Sequence, residues 1–220
     1  MPRMSRLIVP GYPHHVTQRG VRSMDIFTDD DARWAYLSFL SEESGRVGVQ
    51  ILSWCLMSNH VHFIAIPSDS RSLARAFGEA HRRYTRMRNF CEGVRGYLFQ
   101  GRFSSCVLDG KHLVAAARYV ERNPVKAGIV SHPGDYLWSS ARFHLGIIAE
   151  DMMVSDKSML GMVSDWESLL LSENEEDSMR LRLSTRTGRP AGGDDFAEKV
   201  KNLTGRDPRP QRPGRPRKGE

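Results

Sequence analysis

The sequence predicts an α+β fold in which an antiparallel sheet is covered on its face by helices. Three observations carry this expectation. Helical periodicity alternates with short β-rich runs, the links between them are of hairpin length, and 40% hydrophobic residues among 220 suffice for one packed domain with an appendage or for two small domains.

In chain order, a strand-like pattern surrounds Val16. Thr28 with Asp29, Asp30 and Asp31 then supplies an N-cap and acidic first turn, predicting a helix to about residue 44 with Trp34, Leu37, Phe39 and Leu40 inward. Residues 49–56 are β-rich, residues 57–59 read as a turn, and residues 60–66 as a second strand closed by Pro67. The helix over 70–90 has the clearest period, with Leu73, Phe77, Ala80, Tyr84 and Met87 on one stripe. Residues 103–108 predict a further strand, Asp109 a cap, and 111–123 a helix that Pro124 ends abruptly. Ser139 and Ser140, after Trp138, cap a last short element over 141–146.

The expected organisation is a main domain over 1–145, an acidic and partly helical extension over 146–204, and a flexible basic arm over 205–220. Within the extension, residues 154–172 are amphipathic (Met159, Met162, Trp166, Leu169, Leu170), and residues 173–177 make an acidic break. A turn-rich linker over 188–193 and a short helix over 196–203 follow. The arm alternates Arg with Pro and Gly and cannot bury a core.

Charge follows the same partition. The net +6 averages +7 over 1–145 (19 basic, 12 acidic), −5 over 146–204 (7 basic, 12 acidic) and +4 over 205–220 (6 basic, 2 acidic). Arg outnumbers Lys 26 to 6, and the guanidinium fork suits bidentate contact with phosphate. On the 70–90 helix Arg71, Arg75, Arg82, Arg83, Arg86 and Arg88 face Glu79 alone, which points to a polyanion. The odd, widely spaced Cys55, Cys91 and Cys106 read as reduced, packed thiols, and apolar runs such as residues 63–66 are far too short to span a bilayer. The expected location is cytoplasmic, at the nucleoid.

Two places carry chemistry. His60 and His62 flank Val61 in a strand, so both imidazoles share one face, where they either chelate one cation or are satisfied by backbone. On the 111–123 helix, Tyr119 lies at the edge of the stripe Leu113, Ala116 and Val120, with Asn123 one turn later. Tyr119 reads as boundary packing or as a presented phenol, and Asn123 as a helix C-cap or as its partner. His14 and His15 read either as exposed or capping residues or as further members of the site.

The string Asn59-His60-Val61-His62, Tyr119 four residues ahead of Asn123, the run from Asn123 and Pro124 to Gly128, and Trp138-Ser139-Ser140 resemble the single-tyrosine HUH transposases. The REP-associated tyrosine transposase branch is the nearest, and the segment over 98–103 and the pieces at 185–190 and 215–218 are similar to it as well. The resemblance spans about residues 8–145.

It implies a ferredoxin-like or RNA-recognition-motif-like HUH fold, with His60, His62 and Asn123 holding a divalent metal (Mg²⁺ or Mn²⁺) and Tyr119 as nucleophile. The implied activity is metal-dependent cleavage and rejoining of single-stranded DNA at palindromic repeat hairpins through a 5′-phosphotyrosine, without a nucleotide cofactor. The alternative is a domesticated protein that binds the hairpin and seldom cleaves it. Arg19, Arg22, Arg82, Arg83, Arg86 and Arg102, with Arg215 and Arg217 of the arm, are the expected DNA contacts. Monomer and homodimer both stay open.

Overall fold

A computed structural model describes residues 6–209. Four strands, β1 (His14–Arg19), β2 (Val49–Leu56), β3 (His60–Pro67) and β4 (Ser104–Val107), form an antiparallel sheet of order β2-β3-β1-β4. The β2-β3 hairpin forms where the alternating pattern places it. In the central pair Thr17 faces His62 and Arg19 faces His60 across strands.

Helices α1 (Asp30–Val47) and α2 (Ser72–Glu92) pack together under one face of the sheet. Phe63 of β3 points to that side, its ring 5.4 Å from Phe77 of α2 and 6.3 Å from Tyr36 of α1. Asp29, rather than Thr28, caps α1 by accepting from the Ala32 amide at 2.8 Å, and Gly48 ends α1 with φ +65°. The buried stripe of α1 is Ala32, Tyr36, Leu37 and Leu40; Trp34, expected inward, is 54% exposed and leans edge-on against Trp138. The α2 stripe matches its periodicity, and the buried Tyr84 donates its hydroxyl to the Ile26 carbonyl at 2.6 Å.

Adjacent residues of a strand point to opposite faces, so His62 belongs to the other side of the sheet. There lies α3 (Gly110–Glu121), capped by Asp109 accepting from the His112 amide. Pro124 does not stop the chain from coiling: after Arg122, which keeps right-handed dihedrals, α4 (Asn123–Lys126) continues with Pro124 in its first turn, where proline is tolerated. Helix α5 (Ala141–His144) follows the Trp138–Ser140 strip, whose backbone bonds to Trp54 and Leu56 of β2. The expected side-chain cap at Ser140 is absent, because its hydroxyl turns inward to Glu121.

The extension departs most from expectation. Residues 154–172 break into a 3₁₀ turn (Ser158–Met162) and a short α6 (Trp166–Leu171). The acidic break is instead the first turn of a helix, α7 (Glu175–Thr187), with Asn174 accepting from the Asp177 amide. Helix α7 packs on α3, β4 and β1, and Arg118 of α3 pairs with Asp177 at 2.7 Å. Met159, Trp166, Leu170, Leu181 and Ala191 share one buried cluster with the sheet. The linker is tied to the sheet edge by Ala191, which donates to the Val107 carbonyl and accepts from the Asp109 amide. Helix α8 (Asp194–Thr204) buries Val200 against Leu7, Val9 and Val107. All three thiols are free, but Cys91 is exposed rather than packed.

Candidate active site

Strands β1 and β3, helix α3 and helix α7 enclose a cleft of about 540 Å³ lined by His15, Thr17, Gln18, Arg19, His60, His62, Gln100, Arg102, Ser104, Tyr119, Arg182, Thr185 and Arg186. Sequence reasoning places His60, His62, Tyr119, Arg19 and Arg102 together, and the fold brings all five to this one cavity.

The His60 and His62 rings stand 5.0 Å apart and nearly perpendicular. Asn59 donates its amide nitrogen to the Ser23 carbonyl at 3.2 Å, which turns its carbonyl oxygen toward His60. His60 therefore donates from Nδ1 to Asn59 Oδ1 at 2.6 Å. The Nδ1 of His62 is engaged by His15 Nε2 at 2.9 Å. Among the described residues neither Nε2 has a hydrogen-bond partner. Burial pushes His60 down to about 4, helped by the Arg19 charge, and holds His62 well below the usual imidazole range. Both rings are neutral at pH 7, the form a cation requires.

Tyr119, half-buried on α3, stands edge-on to His62 with ring centroids 5.5 Å apart and edge-on to His15 at 5.8 Å. Burial raises the phenol above its ordinary range, while Arg182 and Arg19 pull the other way. The arginines thus favour the phenolate that the protein interior resists.

Asn123 is not among the residues lining the cleft. Its amide nitrogen donates to the Tyr119 carbonyl at 2.7 Å and the Val120 carbonyl at 3.3 Å. Pro124 has no N–H to offer Val120, so the Asn123 side chain takes that place and closes the helix end. Among the described residues no group of three or more His, Cys, Asp or Glu converges on one point. The cleft therefore fits a cation as a two-nitrogen site, His60 and His62, with its other positions left to oxygen donors.

The remaining arginines divide. Arg82 pairs with Glu79, and Arg83 bonds Glu42 at 2.8 Å and Glu43 at 2.7 Å, so two expected phosphate contacts are held by carboxylates within the fold. Arg86 lines a separate groove with Arg95, Tyr97 and Phe99, and Arg22 is exposed on a 3₁₀ turn (Val21–Ser23). Arg215 and Arg217 lie outside the described residues. Sequence reasoning missed Arg182 and gave no role to Thr185 and Arg186, which lie in the 185–190 piece of the resemblance; all three share one face of α7. Asn174 followed by Glu175, Glu176 and Asp177 was the available signal, the same cap and acidic turn that mark α1. His14 and His15, read either as exposed or capping or as members of the site, are both buried, and His15 lines the cleft.

A family model described as transposase, IS200-like, matches residues 11–123, more than half of the chain. The fold is similar to a REP-associated tyrosine transposase solved bound to a REP hairpin, with a TM-score of 0.56 and 18% identity, covering 71% of this chain and 92% of that one. A Deinococcus radiodurans R1 protein described as a transposase is more distant, with a TM-score of 0.39 and 15% identity over 55% of this chain and 97% of that one. No curated protein matches the sequence significantly.

Proposed function

The chain belongs to the IS200-like transposases, and from that premise we propose that it cleaves and rejoins single-stranded DNA at repeat hairpins, with Tyr119 as nucleophile. The observation that carries the reading is the Tyr119 ring set edge-on to His62 in a cleft framed by Arg19, Arg102, Arg182 and Arg186. The solved relative with its REP hairpin supports a hairpin substrate here.

His60 and His62 would hold a divalent cation through Nε2, which supplies Lewis acidity toward a non-bridging phosphate oxygen when bound. Arg182 and Arg19 favour loss of the phenolic proton from Tyr119. The Tyr119 oxygen then attacks phosphorus, a P–O bond to tyrosine forms as the P–O3′ bond breaks, and the departing 3′-oxygen takes up a proton. One phosphate ester replaces another, so no nucleotide cofactor is needed. Attack by a second 3′-hydroxyl reverses the step and rejoins the strand. The arginines bind the flanking phosphates and hold the scissile one in line.

The test is a labelled hairpin oligonucleotide with a single-stranded flank, incubated with Mn²⁺ and full-length protein. Cleavage by wild type that is lost in both Tyr119→Phe and His60→Ala is the expected result. Cleavage surviving Tyr119→Phe would assign the chemistry to water instead, and hairpin binding without cleavage by wild type would leave a hairpin-binding protein.

A further inference from the structure

One buried group in the cleft has no part in the reaction above. His15 is 2% exposed on β1, its ring nearly parallel to that of His62, with centroids 5.1 Å apart and 9° between planes, so the two meet edge to edge. Both its nitrogens are engaged, Nε2 with His62 Nδ1 at 2.9 Å and Nδ1 with Thr185 Oγ1 at 2.7 Å. Thr185, on α7, is itself buried and bonds the Leu181 carbonyl at 2.8 Å.

A hydrogen count fixes the direction of every bond in this chain. The Leu181 carbonyl can only accept, so the single hydroxyl hydrogen of Thr185 points to it. The Thr185 oxygen is then an acceptor for His15 and for the Cys106 thiol 3.3 Å away, and His15 carries its hydrogen on Nδ1. A neutral His15 with Nδ1–H offers a lone pair at Nε2, which accepts from His62 Nδ1–H. The only lone pair left on the His62 ring is Nε2, the atom a cation would use.

We propose that Thr185 and His15 are positioning residues that lock His62 in its Nδ1–H tautomer and so present Nε2 as a ligand. The proposal rests on the metal reading of the cleft and extends it, because the lock is anchored in α7, outside the matched region 11–123. Outer partners of this kind fix the tautomer and orientation of a ligating imidazole, and their loss typically weakens metal binding about 10- to 100-fold. His60 is fixed independently, by Asn59.

The experiment uses full-length metal-free protein, ¹⁵N-labelled at histidine, for two-bond ¹H–¹⁵N spectra, and then calorimetry with Mn²⁺ alone. Wild type should show His62 protonated at Nδ1. Thr185→Val, which keeps the side-chain shape, should convert His62 at least partly to the Nε2–H form and weaken Mn²⁺ binding about tenfold or more. Thr185→Ser should restore both. A wild-type His62 protonated at Nε2 would overturn the proposal, as would a Thr185→Val protein with unchanged tautomer and affinity. The metal reading is checked separately: Mn²⁺ affinity unchanged in His60→Ala would refute that reading, whereas the tautomer spectra, recorded without metal, still decide the lock. Should Thr185→Val fail to fold, His15→Gln provides the same two readouts through the second link.

Discussion

The Tyr119 ring stands at 89° to His62 with centroids 5.5 Å apart, so the phenol and one imidazole of the histidine pair border the same cleft from two elements 57 residues apart in the chain. Of the charges around this phenol, Arg182 acts most strongly to lower its pKa, against the opposing effect of burial. Replacing Arg182 by Ala should therefore move the ascending limb of the pH–rate profile to higher pH and slow cleavage at pH 7 by roughly three- to tenfold. An unchanged profile would show that Arg182 does not act on Tyr119.

Salt dependence should separate the free arginines from the occupied ones. Arg102→Ala and Arg186→Ala should each weaken DNA binding across sequences and reduce the slope of log affinity against log salt by about one. Arg83 is committed to Glu42 and Glu43, so Arg83→Ala should leave that slope unchanged and lower the melting temperature. Filter binding across a salt series measures the first effect, and thermal unfolding the second.

Two residues beyond Tyr119 on the same helix, Glu121 is fully buried and accepts from Ser53 at 3.0 Å, Ser140 at 2.5 Å and His144 at 2.6 Å. These bonds tie the end of α3 to β2 and α5. Glu121→Ala removes the acceptor of three buried groups at once and should cost about 3–5 kcal/mol in urea unfolding. A loss under about 1 kcal/mol would mean that the network does not hold α3 in place.

Stability should also fall on mild acidification. Burial pushes His14 down to about 4 and His81 down to about 3. His14 donates Nδ1–H to the Tyr12 carbonyl and accepts the Val9 amide at Nε2, an arrangement only the neutral ring can make. Between pH 6.5 and 4 the unfolded chain thus binds more protons than the folded one, and stability drops as pH falls through that window. Each of these residues should contribute on the order of 3 kcal/mol to the loss. Denaturant midpoints measured from pH 7 to pH 4 should decline from about 6.5 downward; a flat profile to pH 5 would contradict buried neutral histidines.

Much of this was legible before the fold was known. Alternation alone puts His60 and His62 on one face, and the stripe through Leu73, Phe77, Ala80 and Tyr84 needs only helical period. The sequence could offer His15 as a member of the site but not its role, because that role comes from pairing β1 with β3, a contact 47 residues apart. Helix α7 escaped for a local reason: Met179 and Leu183 are exposed while Ser184 and Thr185 are buried, so hydrophobicity does not trace its inner face. Asn123 shows a local effect that spacing does not reveal: its amide nitrogen satisfies the Tyr119 and Val120 carbonyls at the end of α3, before Pro124. Trp34 was misplaced, its bulk suggesting core where it covers Trp138 at the surface.

The central claim, that Tyr119 becomes covalently joined to DNA, is tested most directly by peptide mapping. Wild-type protein is incubated with Mn²⁺ and a hairpin oligonucleotide, digested with protease and nuclease, and its peptides are weighed by mass spectrometry. The expected result is a nucleotide phosphate on the peptide carrying Tyr119, joined through the DNA 5′-phosphate and absent from Tyr119→Phe. An adduct on Tyr12, Tyr36, Tyr84, Tyr97 or Tyr136, or cleavage with no adduct on any peptide, would contradict it.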